Sequence, residues 1–235
     1  MPAPRMVIVA GPSGGGKSSI FPIFQMQIDA FSTDLRAATL LGEAMGAGKP
    51  VFQPASADVP LYMQFRQQAG QEMERFINEH IDRRKSFAFE TTLREVTFDQ
   101  ARRAHLNGFR IEMIFIAGGD EREHIERVGE RGVRGGHVAS EAALRDIYRR
   151  GMVMLRRAFE ENQRKNIEIL AVFHNPRVPV GDQPRPQLLV EMVRGYPSPE
   201  RGIATLLPQW FEDAVRGTDF AVERLRGRLD NELER

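Results

Sequence analysis

Eight residues, Gly11-Pro12-Ser13-Gly14-Gly15-Gly16-Lys17-Ser18, have the types and the spacing that hold a phosphate chain. In such a loop successive backbone N–H groups turn inward onto phosphate oxygens. The helix that follows aims the positive end of its dipole at the same anion. Lys17 adds a mobile positive charge, Ser18 a hydroxyl suited to Mg²⁺, and Ser19 continues the helix start. Glycine prevails because a side chain would block the close backbone approach. A flexible glycine turn would share this composition. The apolar run Met6-Val7-Ile8-Val9-Ala10 just upstream, however, reads as a buried strand, the context that a phosphate loop needs.

Four further stretches carry polar groups in chemically useful combinations. Asp29 and Asp34 flank Ala30-Phe31-Ser32-Thr33 and precede Arg36, where the second strand should end. Either aspartate can orient an acceptor hydroxyl and take its proton; Thr33 or Asp34 can equally cap a helix. Glu90-Thr91-Thr92-Leu93-Arg94 falls where the third strand should leave the sheet, the side on which open α/β sheets bind ligands. Its carboxylate, hydroxyls and guanidinium can hold a polar substrate, or the segment is a strand end with a threonine cap. Glu126-Arg127-Val128 and Arg131-Gly132-Val133-Arg134-Gly135-Gly136-His137 are rich in arginine and glycine. Arginines on a closing lid stabilise charge on a transferred phosphoryl group; a solvated loop between two helices is the other reading. His137 suits a phosphate contact or a turn. His174-Asn175-Pro176, after the last core strand, suits a nucleotide-base border or a plain turn.

The elements that must position these groups alternate in type. Apolar runs at Met6–Ala10, Ser86–Glu90, Ile111–Ala117 and Ile167–Phe173 read as core strands. Helical spacing over Pro60–Arg84 with Asp58 as a cap, over Val96–Asn107 stopped by Gly108, and from Ser140 to about Gln163 fills the intervals. This alternation predicts an α/β fold: a three-layer phosphate-loop sandwich with a mostly parallel central sheet, a helical lid and C-terminal helices. Pro22 shortens or bends the first helix. Residues Gly42–Pro60 read as a loop. Beyond Asn175 the chain becomes proline-rich, and from Ser198 it reads as helix interrupted by Pro208. Residues 1–175 are thus expected as the core, and 176–235 as a partly helical extension packed on it.

Composition bounds the partners. The 33 basic and 32 acidic side chains leave a formal charge of +1, so no broad field draws in nucleic acid or an anionic membrane. No apolar run approaches the ~18 residues that span a bilayer, and the N-terminus lacks a secretory pattern. The absence of cysteine excludes disulfides and thiolate metal sites. A cytoplasmic protein is expected.

Taken in order, Gly-Pro-Ser-Gly-Gly-Gly-Lys-Ser-Ser, Asp-Ala-Phe-Ser-Thr-Asp-Leu-Arg, Phe-Ala-Phe-Glu-Thr-Thr-Leu-Arg and Arg-Gly-Val-Arg-Gly-Gly-His resemble the zeta-toxin family of kinases, and its chromosomal ATPase-like branch most closely. The resemblance implies ATP or GTP with Mg²⁺ as cofactors and the amino sugar of UDP-N-acetylglucosamine as acceptor. It implies that Lys17 holds the β- and γ-phosphates, that Ser18 meets Mg²⁺, and that Asp34 is the general base, with Asp29 an outside candidate. It matches Glu90, Thr92 and Arg94 to substrate contacts, Arg127 to the arginine on the transferred group, and Arg131 and Arg134 to further lid positions. A small antitoxin protein is a candidate partner, although the family name does not establish toxicity. His174-Asn175-Pro176 stands where the family often has Asp-Asn-Ser, and Ser32 where Asn is common. The expected function is ATP-dependent transfer of the γ-phosphoryl group to a hydroxyl. The alternatives are a nucleotide-gated binding module with a protein partner and a nucleoside-monophosphate kinase.

Overall fold

The structure is a computed structural model that describes residues 2–52, 60–133, 140–178 and 185–233. Strand β1 (Arg5–Ala10) leads through the glycine loop into α1 (Lys17–Ile20), a single turn. Pro22 then opens a 3-10 turn over Ile23–Gln25, so the expected shortening is present. Next come β2 (Asp29–Phe31), α2 (Thr33–Ala44), α3 (Pro60–Asp82) and β3 (Phe87–Thr91). After these follow α4 (Glu95–Leu106), β4 (Arg110–Ala117), α5 (Glu121–Val133), α6 (Glu141–Gln163) and β5 (Ile169–His174). The chain ends with β6 (Gln187–Val193), β7 (Tyr196–Pro197), α7 (Gln209–Val215) and α8 (Val222–Leu233).

All seven strands form one sheet in the order β2-β3-β1-β4-β5-β6-β7. The first five are parallel, and β6 and β7 are antiparallel. Residues 6–10 of β1 are buried on both faces, which explains their unbroken apolar run. Met6, Ile8 and Ala10 face a core shared with Ile77 of α3, Phe98 of α4 and Phe159 of α6. Val7 and Val9 face the opposite side, covered by Ile20, Phe21 and Ile23 around the short first helix.

Three expectations need correction. Residues 42–44 belong to α2, because Lys49 and Pro50 fold back closely enough that a Cβ on Gly42 would lie 2.0 Å from the Lys49 carbonyl. Helix α5 runs through residues 126–128 and on to Val133, so Gly132 lies within a helix rather than in a loop. The segment after 175 carries two strands, whose signal was hidden by neighbouring prolines; residues 198–208 are not helical, and Ile203 bridges to Val190 instead. The proposed cap Asp58 lies outside the described residues.

The tail also joins the main core. Leu189 and Val190 of β6, Phe211 of α7 and Leu225 of α8 pack in the same cluster as Met6 and Ile8. Trp210 donates its indole N–H to Nδ1 of His174 at 3.3 Å. Burial holds the His174 ring below the usual imidazole pKa, in keeping with a neutral acceptor. Trp210→Ala is expected to destabilise the fold by about 3–5 kcal/mol, read as a fall in the urea midpoint with unchanged slope.

Candidate active site

Residues at or just after the carboxyl ends of β1, β2, β3 and β5 line one cleft of about 620 Å³. Its floor is the glycine loop. Gly16 caps α1 at φ +92, and a Cβ there would stand 2.2 Å from Nδ2 of Asn175. Gly11 has φ +138, and its Cβ would meet the Ile116 carbonyl at 2.1 Å. Both positions therefore require glycine. Ser13, Gly14, Gly16, Lys17, Ser18 and Ser19 line the cleft, whereas Gly11, Pro12 and Gly15 stand behind them. Lys17 Nζ donates to the Gly11 and Pro12 carbonyls at 2.8 and 3.1 Å, which folds its charge over the loop.

One wall comes from β2, β3 and α3. Ser32, and neither Thr33 nor Asp34, caps α2: its hydroxyl accepts from the Leu35 N–H at 3.5 Å. The cap lies one residue before the first of the two expected positions, because Thr33 is already helical and turns its hydroxyl to Met73. Asp34, in the first turn of α2, is half exposed in the cleft and lies 3.5 Å from Arg66. Glu90 sits at the centre. Its Oε2 accepts from Ser18 Oγ at 3.1 Å and from Ser32 Oγ at 3.3 Å. Burial pushes its carboxyl above the usual glutamate value, against the pull of Lys17 and the two hydroxyls.

The turn after β3 is held by a local device. Thr91 Oγ1 accepts from the Leu93 N–H at 3.0 Å, while Leu93 is buried with φ +67, a conformation unfavourable for a branched side chain. Thr91 is thus used mainly in shaping the turn that presents Thr92 and Arg94 to the cleft.

The other wall is α5 and α6, with Arg127, Val128, Leu144 and Ile147. Arg127 donates to the carbonyls of Gly118 and Asn175 at 3.0 and 2.9 Å and pairs with Glu123; its Nε is buried without a partner. Asn175 donates its Nδ2 to the Gly15 carbonyl at 3.1 Å, so the residue after β5 borders the phosphate loop. Arg66 and His124 are the functional candidates that sequence reasoning passed over, and neither had a local signal; Ser32 and Asn175 lay within stretches already singled out, without a stated role as cap or loop contact.

Asp29 is the sequence-predicted site residue that the structure sets apart. It opens β2 at the opposite end of the sheet from the cleft and pairs with His80 and Lys85 at 3.0 and 3.4 Å. These partners hold its carboxyl below the usual range. Arg131 lies on α5 by its backbone; Arg134 and His137 lie outside the described residues.

The groups fit a bound phosphate chain with a divalent cation. The loop cradle admits no Cβ, Lys17 supplies the charge, and a hydroxyl and a carboxylate stand side by side at Ser18 and Glu90. Among the described residues no cluster of three or more His, Cys, Asp or Glu could hold a metal alone. No helix among the described residues is long and apolar enough to cross a membrane.

Comparison with known proteins agrees with this architecture. A sequence model of the family described as Zeta toxin matches residues 1–176. No curated protein matches the chain. Among solved structures, the PezAT chromosomal toxin–antitoxin system of Streptococcus pneumoniae is similar over 100% of this chain and 89% of that chain, at 13% identity and a TM-score of 0.53. AvrRxo1-ORF1:AvrRxo1-ORF2 with sulphate ions is similar over 97% of this chain and 76% of that chain, at 12% identity and a TM-score of 0.57. The same complex with ATP covers 83% and 60%, at 13% identity and 0.54. At these identities the likeness is one of fold.

Proposed function

The chain belongs to the zeta toxin family, and from that premise we propose that it is a kinase that moves the γ-phosphoryl group of ATP, or of GTP, onto a hydroxyl of a small molecule. The observation that carries this reading is the single cleft in which the phosphate loop faces both Asp34 and Arg127. Bound nucleotide with Mg²⁺ would supply the phosphoryl group and neutralise part of its charge. The loop N–H groups and Lys17 would hold the β- and γ-phosphates. Ser18 and Glu90 would hold the cation. Asp34 would accept the proton of the attacking hydroxyl, since a carboxylate exposed in the cleft is free to approach it. Arg127, fixed by two carbonyls and Glu123, would stabilise negative charge on the transferred oxygens without first having to be ordered.

Thr92, Arg94 and Arg66 line the acceptor side. Two guanidinium groups there favour an acceptor that carries its own phosphates, such as UDP-N-acetylglucosamine. A small antitoxin protein is the partner class that the reading brings with it. The test is a phosphoryl-transfer screen of nucleotide sugars and other hydroxylated metabolites with Mg·ATP, scored by mass gain of the acceptor. Tight nucleotide binding with no transfer to any acceptor would instead favour a nucleotide-gated binding module.

Glu90 gives a separate prediction. Burial makes its ionised form the costly one, so a cation bound beside it would offset that cost. Because its folded pKa is raised, its contribution to stability is fully present below the ordinary glutamate value and is lost as pH rises through the folded value. In Mg²⁺-free buffer the thermal midpoint of the wild type should therefore decline across that window more than that of Glu90→Gln. With ATP present, added Mg²⁺ should raise the wild-type midpoint and leave Glu90→Gln nearly unmoved. Equal Mg²⁺ responses in the two proteins would remove Glu90 from the cation site.

A further inference from the structure

His124 lies on α5, outside every motif read from the sequence, and is 2% exposed. Its Nε2 accepts from the Gly118 N–H at 3.0 Å. The proton must then be on Nδ1, which donates to the Ser13 carbonyl at 2.9 Å. Desolvation lowers the ring to a pKa of about 4, so it is neutral near pH 7. The ring is braced by Tyr148, 5.1 Å away, whose hydroxyl donates to the Gly119 carbonyl at 3.0 Å.

The consequence follows from the planar trans peptide, in which the C=O and the following N–H point in opposite directions. A donor pinned to the Ser13 carbonyl from behind the loop turns the Gly14 N–H away from His124. Asn175 does the same to the next peptide but one: its grip on the Gly15 carbonyl turns the Gly16 N–H the other way. Arg127, about one turn along α5 from His124, donates to the carbonyls of Gly118 and Asn175 and so fixes both the backbone partner of His124 and Asn175 itself.

We propose that His124 and Asn175 form a two-point backbone clamp that presets the Gly14 and Gly16 N–H groups for the phosphate chain, making His124 a positioning residue for nucleotide binding. The clamp rests on the kinase reading above. It joins α5, the end of β5 and the loop, so the helix that carries Arg127 is aligned with the phosphates it would serve.

The test compares His124→Ala, His124→Asn and His124→Gln by calorimetry with Mg·ATP, by KM and kcat, and by thermal midpoint. The asparagine amide places a donor near the Nδ1 position, whereas the glutamine amide oxygen replaces only the Nε2 acceptor. His124→Ala is expected to lose ~10-fold in ATP affinity, one hydrogen bond's worth, with the loss concentrated in KM for ATP rather than in kcat. His124→Asn should recover ATP affinity better than His124→Gln, whichever of the two is thermally more stable. ATP affinity in His124→Gln equal to or better than in His124→Asn, or wild-type affinity in a folded His124→Ala, overturns the clamp alone. Wild-type protein that binds neither ATP nor GTP with Mg²⁺ overturns the kinase reading, and the clamp with it.

Discussion

Lys17→Ala is expected to lower phosphoryl transfer by ~10²–10³-fold, the range typical of removing one preorganised charge donor from a transition state. The side chain spans the loop with its ammonium on the Gly11 and Pro12 carbonyls, so it stands where a triphosphate would enter. The loop's shape does not depend on that ammonium alone: glycine conformations, the Gly15 N–H to Pro12 carbonyl bond at 3.2 Å and the contacts of His124 and Asn175 remain. The variant should therefore fold and still fill the cleft weakly. The measurement is acceptor phosphorylation at saturating Mg·ATP beside a binding isotherm. Undiminished turnover in a variant of native thermal midpoint would show that the reaction does not run over this loop.

Asp34→Asn is expected to separate binding from chemistry. The substitution keeps the size of the side chain and its place in the first turn of α2, but removes the base. A positioned general base contributes ~10²–10⁴-fold, so transfer should fall by that factor while nucleotide affinity stays within about twofold. The 3.5 Å contact with Arg66 loses its charge partner, yet exposed pairs of this kind are worth only ~0–1 kcal/mol. Full transfer activity in Asp34→Asn would take the base role away from this residue, and Asp29 could not inherit it, since it lies at the far end of its strand.

The shape of the glycine loop was legible from sequence because its geometry is written in residue type: only glycine tolerates the backbone angles and contacts at 11 and 16. The parallel strands were legible because burial on both faces demands unbroken apolar runs, as in Met6–Ala10. What escaped notice depends on contacts between residues far apart in the chain. Gln187–Val193 is apolar enough to be a strand, but its place beside β5 is decided by tertiary pairing. Asp29 shares a short motif with Asp34, yet the two ends of a strand open onto different neighbourhoods. His124 is one histidine in a charged helix; its two ring nitrogens acquire meaning only when Ser13, 111 residues earlier, folds against it.

Strand β5 has one last implication. At its end Asn175 reaches under the glycine loop, and along its edge it takes β6 as a neighbour, although the family pattern stops at residue 176. Drift in the last quarter of the polypeptide is therefore not silent. Under the proposed function, changes along this seam would alter how the glycine loop holds a triphosphate, and a truncation that removes β6 would leave the strand that leads to Asn175 without its neighbour.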